Sequence, residues 1–195
     1  MPHMTMLRAK SYFKESSRIA ELVDAEAVQR LAIALDVLRT LGGRLFLIGI
    51  GGSAANCCHA VNDFRKLCNI DALTPCDNVA ELSARANDEG WERIFVDWLY
   101  VSKAGKKDAL FVLSVGGGTP EVSLPIVRAV EYANDFDMPV YGVVGRDGGY
   151  TAKHGDGVII VPTLSPELVT AHTESFQSVI LHYLVSALQM RSTKW

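Results

Sequence analysis

The sequence lacks the patterns that identify nucleic-acid-binding, membrane-spanning and secreted proteins. It has no Lys/Arg-rich run, and its formal net charge of −3 argues against a broad electrostatic footprint for nucleic acid. The longest apolar stretch, 179–188, is interrupted by His182 and Ser186 and is too short to cross a bilayer. No charged segment followed by an apolar one stands at the N-terminus, so we expect no signal peptide. We therefore expect neither a nucleic-acid partner nor membrane attachment.

Cysteines are few and are not spaced as metal or disulfide motifs. Cys57, Cys58, Cys68 and Cys76 form no CxxC pair. The adjacent Cys57 and Cys58 would point about 100° apart on a helix, which makes a bridge between them difficult. This pattern favours small buried hydrophobic side chains in a reducing compartment, and it predicts a cytoplasmic location.

The dinucleotide-binding fingerprint is also missing. The glycine cluster "GIGGSAAN" would need glycine at position 54 to match G-x-G-x-x-G, and the chain has Ala54 there. The acidic residue expected at the end of the second strand is absent, because Asp71 falls near the start of that run. We therefore expect no nucleotide cofactor. A simple phosphate could still bind through Ser53 and the helix N-terminal amides behind it.

Apolar runs and helical segments alternate along the chain, which predicts the fold class. The candidate strands are 44–49, 70–73, 109–114, 140–144 and 157–161. Candidate helices lie near 53–66, 91–104, 119–136 and 165–190. Because the strands show almost no polar alternation, both faces of the sheet are expected to be covered. The sequence predicts an α/β fold, a three-layer α/β/α sandwich with a five-stranded parallel sheet and right-handed crossovers.

Two helices are predicted ahead of the first strand, within residues 5–41. Apolar residues recur at helical spacing in both, Asp24 is the expected N-cap of the second, and Gly42 and Gly43 end it. With no linker or repeat in the sequence, we expect one domain, 1–195, that includes an N-terminal helical pair, 1–42.

Three glycine-rich turns follow predicted strands and are the first indication of a ligand site. They are "GIGGS", "SVGGGTPEV" and "GRDGG". Ligands of open parallel sheets bind beyond the carboxyl ends of the strands, where all three turns would lie. In the second turn, Thr119 and Pro120 are typical of a helix N-cap and first helical residue, whereas the glycines favour a phosphate nest over 116–119. Both interpretations of that turn remain open.

Four ionisable side chains could form a second kind of site. His59 and Asp63 are four residues apart and would share one helix face. Glu174 and His182 are eight residues apart on the last helix, about 80° around its axis. Two imidazoles and two carboxylates suit zinc or a similar divalent ion, and they equally suit a general acid–base pair. Alternatively, His182 in "VILHYLV" is a core histidine.

Four segments, in their order and spacing, resemble the SIS (sugar isomerase) domain, and specifically the sedoheptulose 7-phosphate isomerase, or phosphoheptose isomerase, family. The segments are "GIGGSAANCCHAVNDF", "ARANDEGWERIF", "GVVGRDGG" and "TESFQSVILHYL". The resemblance implies a flavodoxin-like fold and conversion of a ketoheptose phosphate to the aldose through a cis-enediol. It also implies a homotetramer, packed partly through the N-terminal helices, with active sites between subunits and, in some members, zinc.

Carried over by position, the resemblance implies roles for particular residues. Asp63 falls on the catalytic glutamate and His182 on the catalytic histidine. The implied metal ligands, for Zn²⁺ or another divalent ion, are His59, Asp63, Glu174 and His182. The implied substrate-binding residues are Gly51, Gly52, Ser53, Asn78, Asn87, Asp88, Ser114, Gly116, Gly117, Gly118, Thr119 and Glu174.

The departures from the family pattern cluster at the implied site. Ile50 replaces the asparagine of G-N-G-G-S, and the S-T-S-G-N-S loop, 114–119 here, has lost two hydroxyl groups. Asp63 is one methylene shorter than the glutamate of the family pattern. Ser175 and Gln177 replace a glutamate and a histidine of that pattern. Two hypotheses follow: an isomerase with a rebuilt cavity, or a non-catalytic module that binds a sugar phosphate or a protein partner. The four ionisable groups favour chemistry, because idle buried charge is costly.

Overall fold

The computed structural model of the chain describes residues 7–191, in which helices and strands alternate after an N-terminal helical pair. The helices are α1 (Ala9–Leu22), α2 (Ala25–Thr40), α3 (Gly52–Cys68), α4 (Val79–Asp88), α5 (Val96–Val101), α6 (Leu124–Asp135), α7 (Gly149–His154) and α8 (Val169–Arg191). The strands are β1 (Arg44–Gly49), β2 (Asp71–Leu73), β3 (Ala109–Ser114), β4 (Val140–Val144) and β5 (Gly157–Ile160). Short 3₁₀ turns occupy Pro75–Asp77, Trp91–Arg93 and Pro166–Leu168.

The five strands form one parallel sheet in the order β2-β1-β3-β4-β5, which confirms the predicted fold class. The chain leaves β1 toward one edge of the sheet and later returns beside it with β3. The connection after β1 and the connection after β3 therefore run toward opposite edges of the sheet. This leaves a crevice at the carboxyl ends of these two strands. Gly49 at the end of β1 pairs with Leu113, and Ser114 at the end of β3 pairs with Val144. The three strand ends that carry the glycine-rich turns thus lie side by side.

Alternate residues of the central strands belong to two separate cores, one on each face of the sheet. On one face, Leu45 and Phe111 pack in a cluster with the buried sides of α2, α3 and α8. On the other face, Phe46 and Leu110 pack in a cluster with residues of α5 and α6. All four side chains are fully buried. This explains the nearly unalternating strand sequences, because neither sheet face meets water.

The N-terminal helices form as predicted within the described residues. The Asp24 carboxylate accepts a hydrogen bond from the Ala27 amide at 2.8 Å, so Asp24 is the N-cap of α2. The amide of Gly43 returns to the Leu38 carbonyl at 3.0 Å, and Gly42 adopts φ +71. That pattern is typical of a glycine-terminated helix. The predicted start of α1 at residue 5 lies outside the described residues.

The prediction of a helix over 119–136 is wrong at its start. Thr119 does not cap a helix; its hydroxyl accepts hydrogen bonds from the amides of Glu121 (3.3 Å) and Val122 (3.0 Å) within a turn. α6 begins only at Leu124, after Ser123 in a left-handed conformation. The Thr119 amide is also bound to the Val122 carbonyl at 2.8 Å, so the turn is closed before the helix starts.

Helix prediction also failed at three short segments. The predicted helix 91–104 is a 3₁₀ turn followed by the short α5. α4 was not predicted because it has no buried residue; it is stabilised by the Asn78 cap and by ion pairs of Arg85 with Glu81 and Glu89. α7 was not predicted because it begins at two glycines, which normally indicate a loop.

The helices within residues 7–191 include none that combines the length and the apolar character needed to cross a membrane.

Candidate active site

Helices α3 and α8 lie side by side and run in the same direction, and this brings the ionisable residues together. Near their N-terminal ends, the Asn56 side-chain amide donates to the Glu174 carbonyl at 2.9 Å and to the Gln177 side-chain oxygen at 3.0 Å. Near their C-terminal ends, the Cys68 thiol contacts the Val185 carbonyl at 3.5 Å. The residues midway along the two helices therefore face each other.

His59, Asp63 and His182 form a three-residue cluster midway along this helix pair. The Nε2 atoms of His59 and His182 are 3.1 Å apart. The Asp63 Oδ2 atom lies 3.2 Å from the Nε2 of His59 and 3.9 Å from the Nε2 of His182. The imidazoles are 52% and 58% exposed, whereas the carboxylate is only 15% exposed. His182 is thus a surface residue, and the interpretation of it as a core histidine is wrong.

The donor atoms of this cluster fit a divalent metal ion. One ligand atom of each residue lies within 4.8 Å of the other two. Ligands bound tetrahedrally to zinc at about 2.0–2.2 Å are themselves about 3.3 Å apart, close to two of the three separations observed. Imidazole nitrogen and carboxylate oxygen are also the donor types of open zinc sites. The same three atoms can exchange protons with a substrate placed among them.

Glu174 lies outside this cluster, although it was predicted as a fourth metal ligand. A Cβ atom added at Gly52 would lie 2.4 Å from the Glu174 Oε2 atom, so the carboxylate rests on the first turn of α3. Eight residues separate Glu174 from His182 on one helix, which corresponds to about 12 Å along the axis. Within one chain, therefore, Glu174 does not share a ligand position with the three clustered residues.

A pocket of about 490 Å³ opens at the carboxyl ends of β1, β3 and β4. Its walls include Ile50, Ser114, Thr119 and Arg146. The Ser114 hydroxyl accepts a hydrogen bond from the Gly117 amide at 3.0 Å, as the Thr119 hydroxyl does from Val122. An accepting hydroxyl keeps its own O–H free to donate, so both groups can still bind an anion.

Comparison with known proteins identifies the family to which the chain belongs. Residues 11–145 match the SIS domain family. A phosphoheptose isomerase from Solidesulfovibrio magneticus is 31% identical over 170 residues, which cover 85% of this chain and 76% of that protein. The chain belongs to the phosphoheptose isomerase family of SIS domains. A second family member, from Syntrophotalea carbinolica, is 26% identical over 95% of this chain and 94% of its own length.

The fold of a solved phosphoheptose isomerase also matches. The structure from Neisseria gonorrhoeae superposes with a TM-score of 0.81 at 24% identity, covering 94% of this chain and 97% of that one. At this identity the likeness concerns the fold alone.

Ser53 and Gln177 are both buried and are hydrogen-bonded to each other. Ser53 is 1% exposed, and its hydroxyl accepts a hydrogen bond from the Gln177 side-chain amide at 3.1 Å. Gln177 is fully buried and also donates to the Val143 carbonyl at 3.4 Å. Gln177 therefore joins α3, α8 and β4.

Three other predicted substrate-binding residues lie apart from both the cluster and the pocket. Asn78 caps α4 by accepting a hydrogen bond from the Glu81 amide at 3.3 Å. At the other end of α4, the Asn87 side chain donates to Asp88 at 2.7 Å. All three are exposed, and none lines the pocket of about 490 Å³.

The glycines predicted to approach the substrate serve different purposes in the loops. Gly51 adopts φ +67 as the N-cap of α3, and Gly52 leaves room for the Glu174 side chain. Gly116 and Gly118 line the pocket, whereas Gly117 packs against the backbone of the turn after β4. Sequence reasoning did not identify Arg146 as a site residue; its only signal was the position of "GRDGG" after a predicted strand.

The cysteines take no part in the cluster, as their sequence pattern predicts. All four thiols are free. Burial raises the pKa of the Cys57 thiol well above its usual value and raises that of Cys68 to about 11. Both are therefore protonated at neutral pH and pack as small hydrophobic groups. The cytoplasmic location drawn from these cysteines stays a prediction.

Proposed function

We propose that the chain is an aldose–ketose isomerase that converts sedoheptulose 7-phosphate to a heptose 7-phosphate through an enediol. The observation that supports this most directly is the cluster in which the Asp63 carboxylate lies 3.2 Å and 3.9 Å from two imidazole nitrogens. Isomerisation moves one proton between adjacent carbons and another between their oxygens. It therefore requires one base and one group that both accepts and donates protons.

In the proposed mechanism, Asp63 is the base and His182 is the acid/base. The Oδ2 atom of Asp63 removes a proton from the carbon next to the carbonyl while His182 protonates the carbonyl oxygen, which together leave the enediol. The same carboxylic acid then returns the proton to the neighbouring carbon. The Nε2 atom of His182 moves a proton between the two oxygens, so the sugar is neither oxidised nor reduced overall.

His59, Asp63 and His182 are proposed to hold Zn²⁺ or another divalent ion, which would polarise the substrate carbonyl as a Lewis acid. A carboxylate whose oxygen is committed to a metal cannot act freely as a base at that oxygen. The Asp63 Oδ1 atom accepts a hydrogen bond from the Asn62 side chain at 2.9 Å, so both of its oxygens have partners. The metal-binding and proton-accepting roles of Asp63 therefore compete.

Removal of either histidine is expected to weaken metal binding. His59→Ala and His182→Ala should each lower Zn²⁺ affinity by about 10-fold or more, because each removes one ligand from a three-ligand set. His154→Ala is the matched control, since that imidazole stacks on Tyr150 away from the cluster. Calorimetric titration of metal-free protein measures the effect. Equal affinity in all four proteins would contradict the metal assignment.

We also propose that the chain forms a homotetramer with active sites between subunits. Two observations support this assembly. Glu174 cannot reach the cluster of its own chain, as the 12 Å rise between it and His182 indicates (about 1.5 Å per residue). Val179, an exposed apolar residue, lies about one turn before His182 on α8, so apolar surface adjoins the cluster. A monomer in sedimentation velocity at micromolar concentration would contradict the proposal.

The experiment that tests the proposed reaction is isomerisation in D₂O followed by proton NMR. An enediol intermediate exchanges the transferred proton with solvent, so deuterium should enter the product at the carbon next to the aldehyde. A module that only binds the sugar phosphate would be thermally stabilised by it and would incorporate no deuterium above the rate without protein. That second outcome would contradict the isomerase hypothesis and support the hypothesis of a non-catalytic binding module.

A further inference from the structure

Among the residues that the structure describes, Arg146 faces the pocket beyond β1, β3 and β4 without a carboxylate partner. Eight other arginines each have a carboxylate oxygen within 4.0 Å. Within residues 7–191, Arg146 has no such ion pair, although its side chain is exposed and lines the pocket. Asp147 also lines the pocket, but its carboxylate accepts a hydrogen bond from the Gly149 amide at 3.1 Å and forms no ion pair with Arg146.

The backbone holds Arg146 in an uncommon conformation at the pocket. Its φ of +53 lies in the left-handed region, which residues other than glycine and asparagine rarely adopt. The preceding Gly145 amide is bound to the carbonyls of Ser114 and Val115, at 3.2 Å each. The turn that carries Arg146 is therefore attached to the loop after β3, and the arginine is held beside that loop.

The Arg146 side chain lies over Gly116 in the loop after β3. A Cβ atom added at Gly116 would be 3.7 Å from the Arg146 Cδ atom, an ordinary van der Waals contact. The backbone amides of Gly116 and Gly118 have no hydrogen-bond acceptor among the described residues. A guanidinium group, two free amides and the hydroxyls of Ser114 and Thr119 thus surround one cavity. These are the donor types that bind a phosphate dianion.

The other anion site suggested by the sequence, the N-terminus of α3, is occupied by a negative charge. The Glu174 carboxylate rests on Gly52 at the first turn of that helix. A phosphate placed there would meet a like charge without intervening protein. The favourable position for a phosphate in this chain is therefore displaced from α3 toward Arg146.

We propose that Arg146 binds the phosphate group of the substrate and makes the pocket selective for phosphorylated over free sugars. Its guanidinium takes the place of the hydroxyl donors that the loop 114–119 lacks relative to the family pattern. The identity of the substrate rests on the proposed function, whereas the anion site itself does not. Since Arg146 belongs to the phosphate end of the pocket and not to the cluster around Asp63, it contributes to binding and not to proton transfer.

The test compares Arg146→Gln and Arg146→Lys with Arg128→Gln, an exposed arginine of α6 that pairs with Glu131. Loss of a charge-assisted hydrogen bond weakens binding by roughly ten- to a hundredfold. Arg146→Gln should therefore raise the Kd for inorganic phosphate, measured by calorimetry, and the KM for sedoheptulose 7-phosphate by that factor. We expect kcat to stay within about threefold of its value in the unmodified chain. That result would mean that Arg146 binds the substrate and the transition state equally well. Arg146→Lys should retain part of the affinity, and Arg128→Gln should match the unmodified chain.

The outcomes separate this inference from the proposed function. Phosphate binding that depends on Arg146 in a chain that isomerises no sugar phosphate would support the anion site and overturn the isomerase. Isomerisation with an unchanged phosphate Kd and an unchanged KM in Arg146→Gln would overturn the assignment of Arg146 alone. A chain that binds no inorganic phosphate at millimolar concentration would also overturn it. Unfolding midpoints of the variants, measured in parallel, show whether each one is folded.

Discussion

Asp63→Asn is expected to lower kcat for sedoheptulose 7-phosphate by about 10²–10⁴-fold while the protein stays folded. That range is what a positioned general base contributes. Asparagine has nearly the same shape as aspartate but accepts no proton at neutral pH. The Asp63 carboxylate is only 15% exposed but lies beside two exposed imidazoles, to which asparagine can still hydrogen-bond, so stability should change by less than about 1 kcal/mol. The measurement is kcat from NMR progress curves, with denaturant unfolding as the check on folding.

Two further variants sharpen the test of Asp63. Asp63→Glu restores the residue type of the family pattern and should keep measurable turnover, because the carboxylate remains beside the imidazoles. Asp71→Asn is the matched control: this carboxylate is exposed and pairs with Arg65 at the edge strand, so turnover should not change. If Asp63→Asn retained turnover within tenfold of the unmodified chain, Asp63 would not be the base.

Gly117→Ala is expected to destabilise the protein by about 3 kcal/mol or more, the largest effect on stability that we predict. Gly117 adopts φ +68, which costs a side-chain-bearing residue roughly 1–3 kcal/mol. An added Cβ atom would also lie 1.9 Å from the Gly148 carbonyl oxygen, a backbone atom that cannot rotate away. The Thr151 amide and hydroxyl both bind the Gly117 carbonyl, so a shift of this loop would also disturb α7.

Gly105→Ala is the matched control for this substitution. Its backbone does not require a positive φ, and a Cβ atom there would have no neighbour within 4 Å. We expect a change of less than about 1 kcal/mol, since alanine mainly lowers the entropy of the unfolded chain. Chemical denaturation of both variants gives the two free energies of unfolding. Equal stability of Gly117→Ala and Gly105→Ala would contradict the close packing of the loops after β3 and β4.

The sheet could be predicted from the sequence because its strands are buried on both faces. β1, β3 and β4 were predicted at their observed bounds, and β2 and β5 within one residue. Apolar runs of this kind have few other interpretations when turns bound them. Helices were less predictable: α4 has no fully buried residue, and α7 begins at glycines. In these segments, local capping and tertiary contacts decide the structure, and neither gives a periodic pattern.

The candidate site could be predicted only in part. His59 and Asp63 share a helix face because of their four-residue spacing, and the structure brings His182 to them across the α3–α8 contact. The spacing of Glu174 and His182 already indicated a difficulty, and the carboxylate lies on Gly52 instead. The proposed role of Arg146 could not be found from its neighbours in sequence, because it depends on a left-handed turn and on the loop that the arginine faces.

The most direct test of the proposed isomerase is a carbon-13 NMR assay of sedoheptulose 7-phosphate with the purified chain, with and without added zinc. We predict that resonances of an aldoheptose 7-phosphate appear and grow to a constant ratio with the ketose, at a rate proportional to protein concentration. An unchanged ketose spectrum under both conditions, with protein shown to be folded, would contradict the assignment.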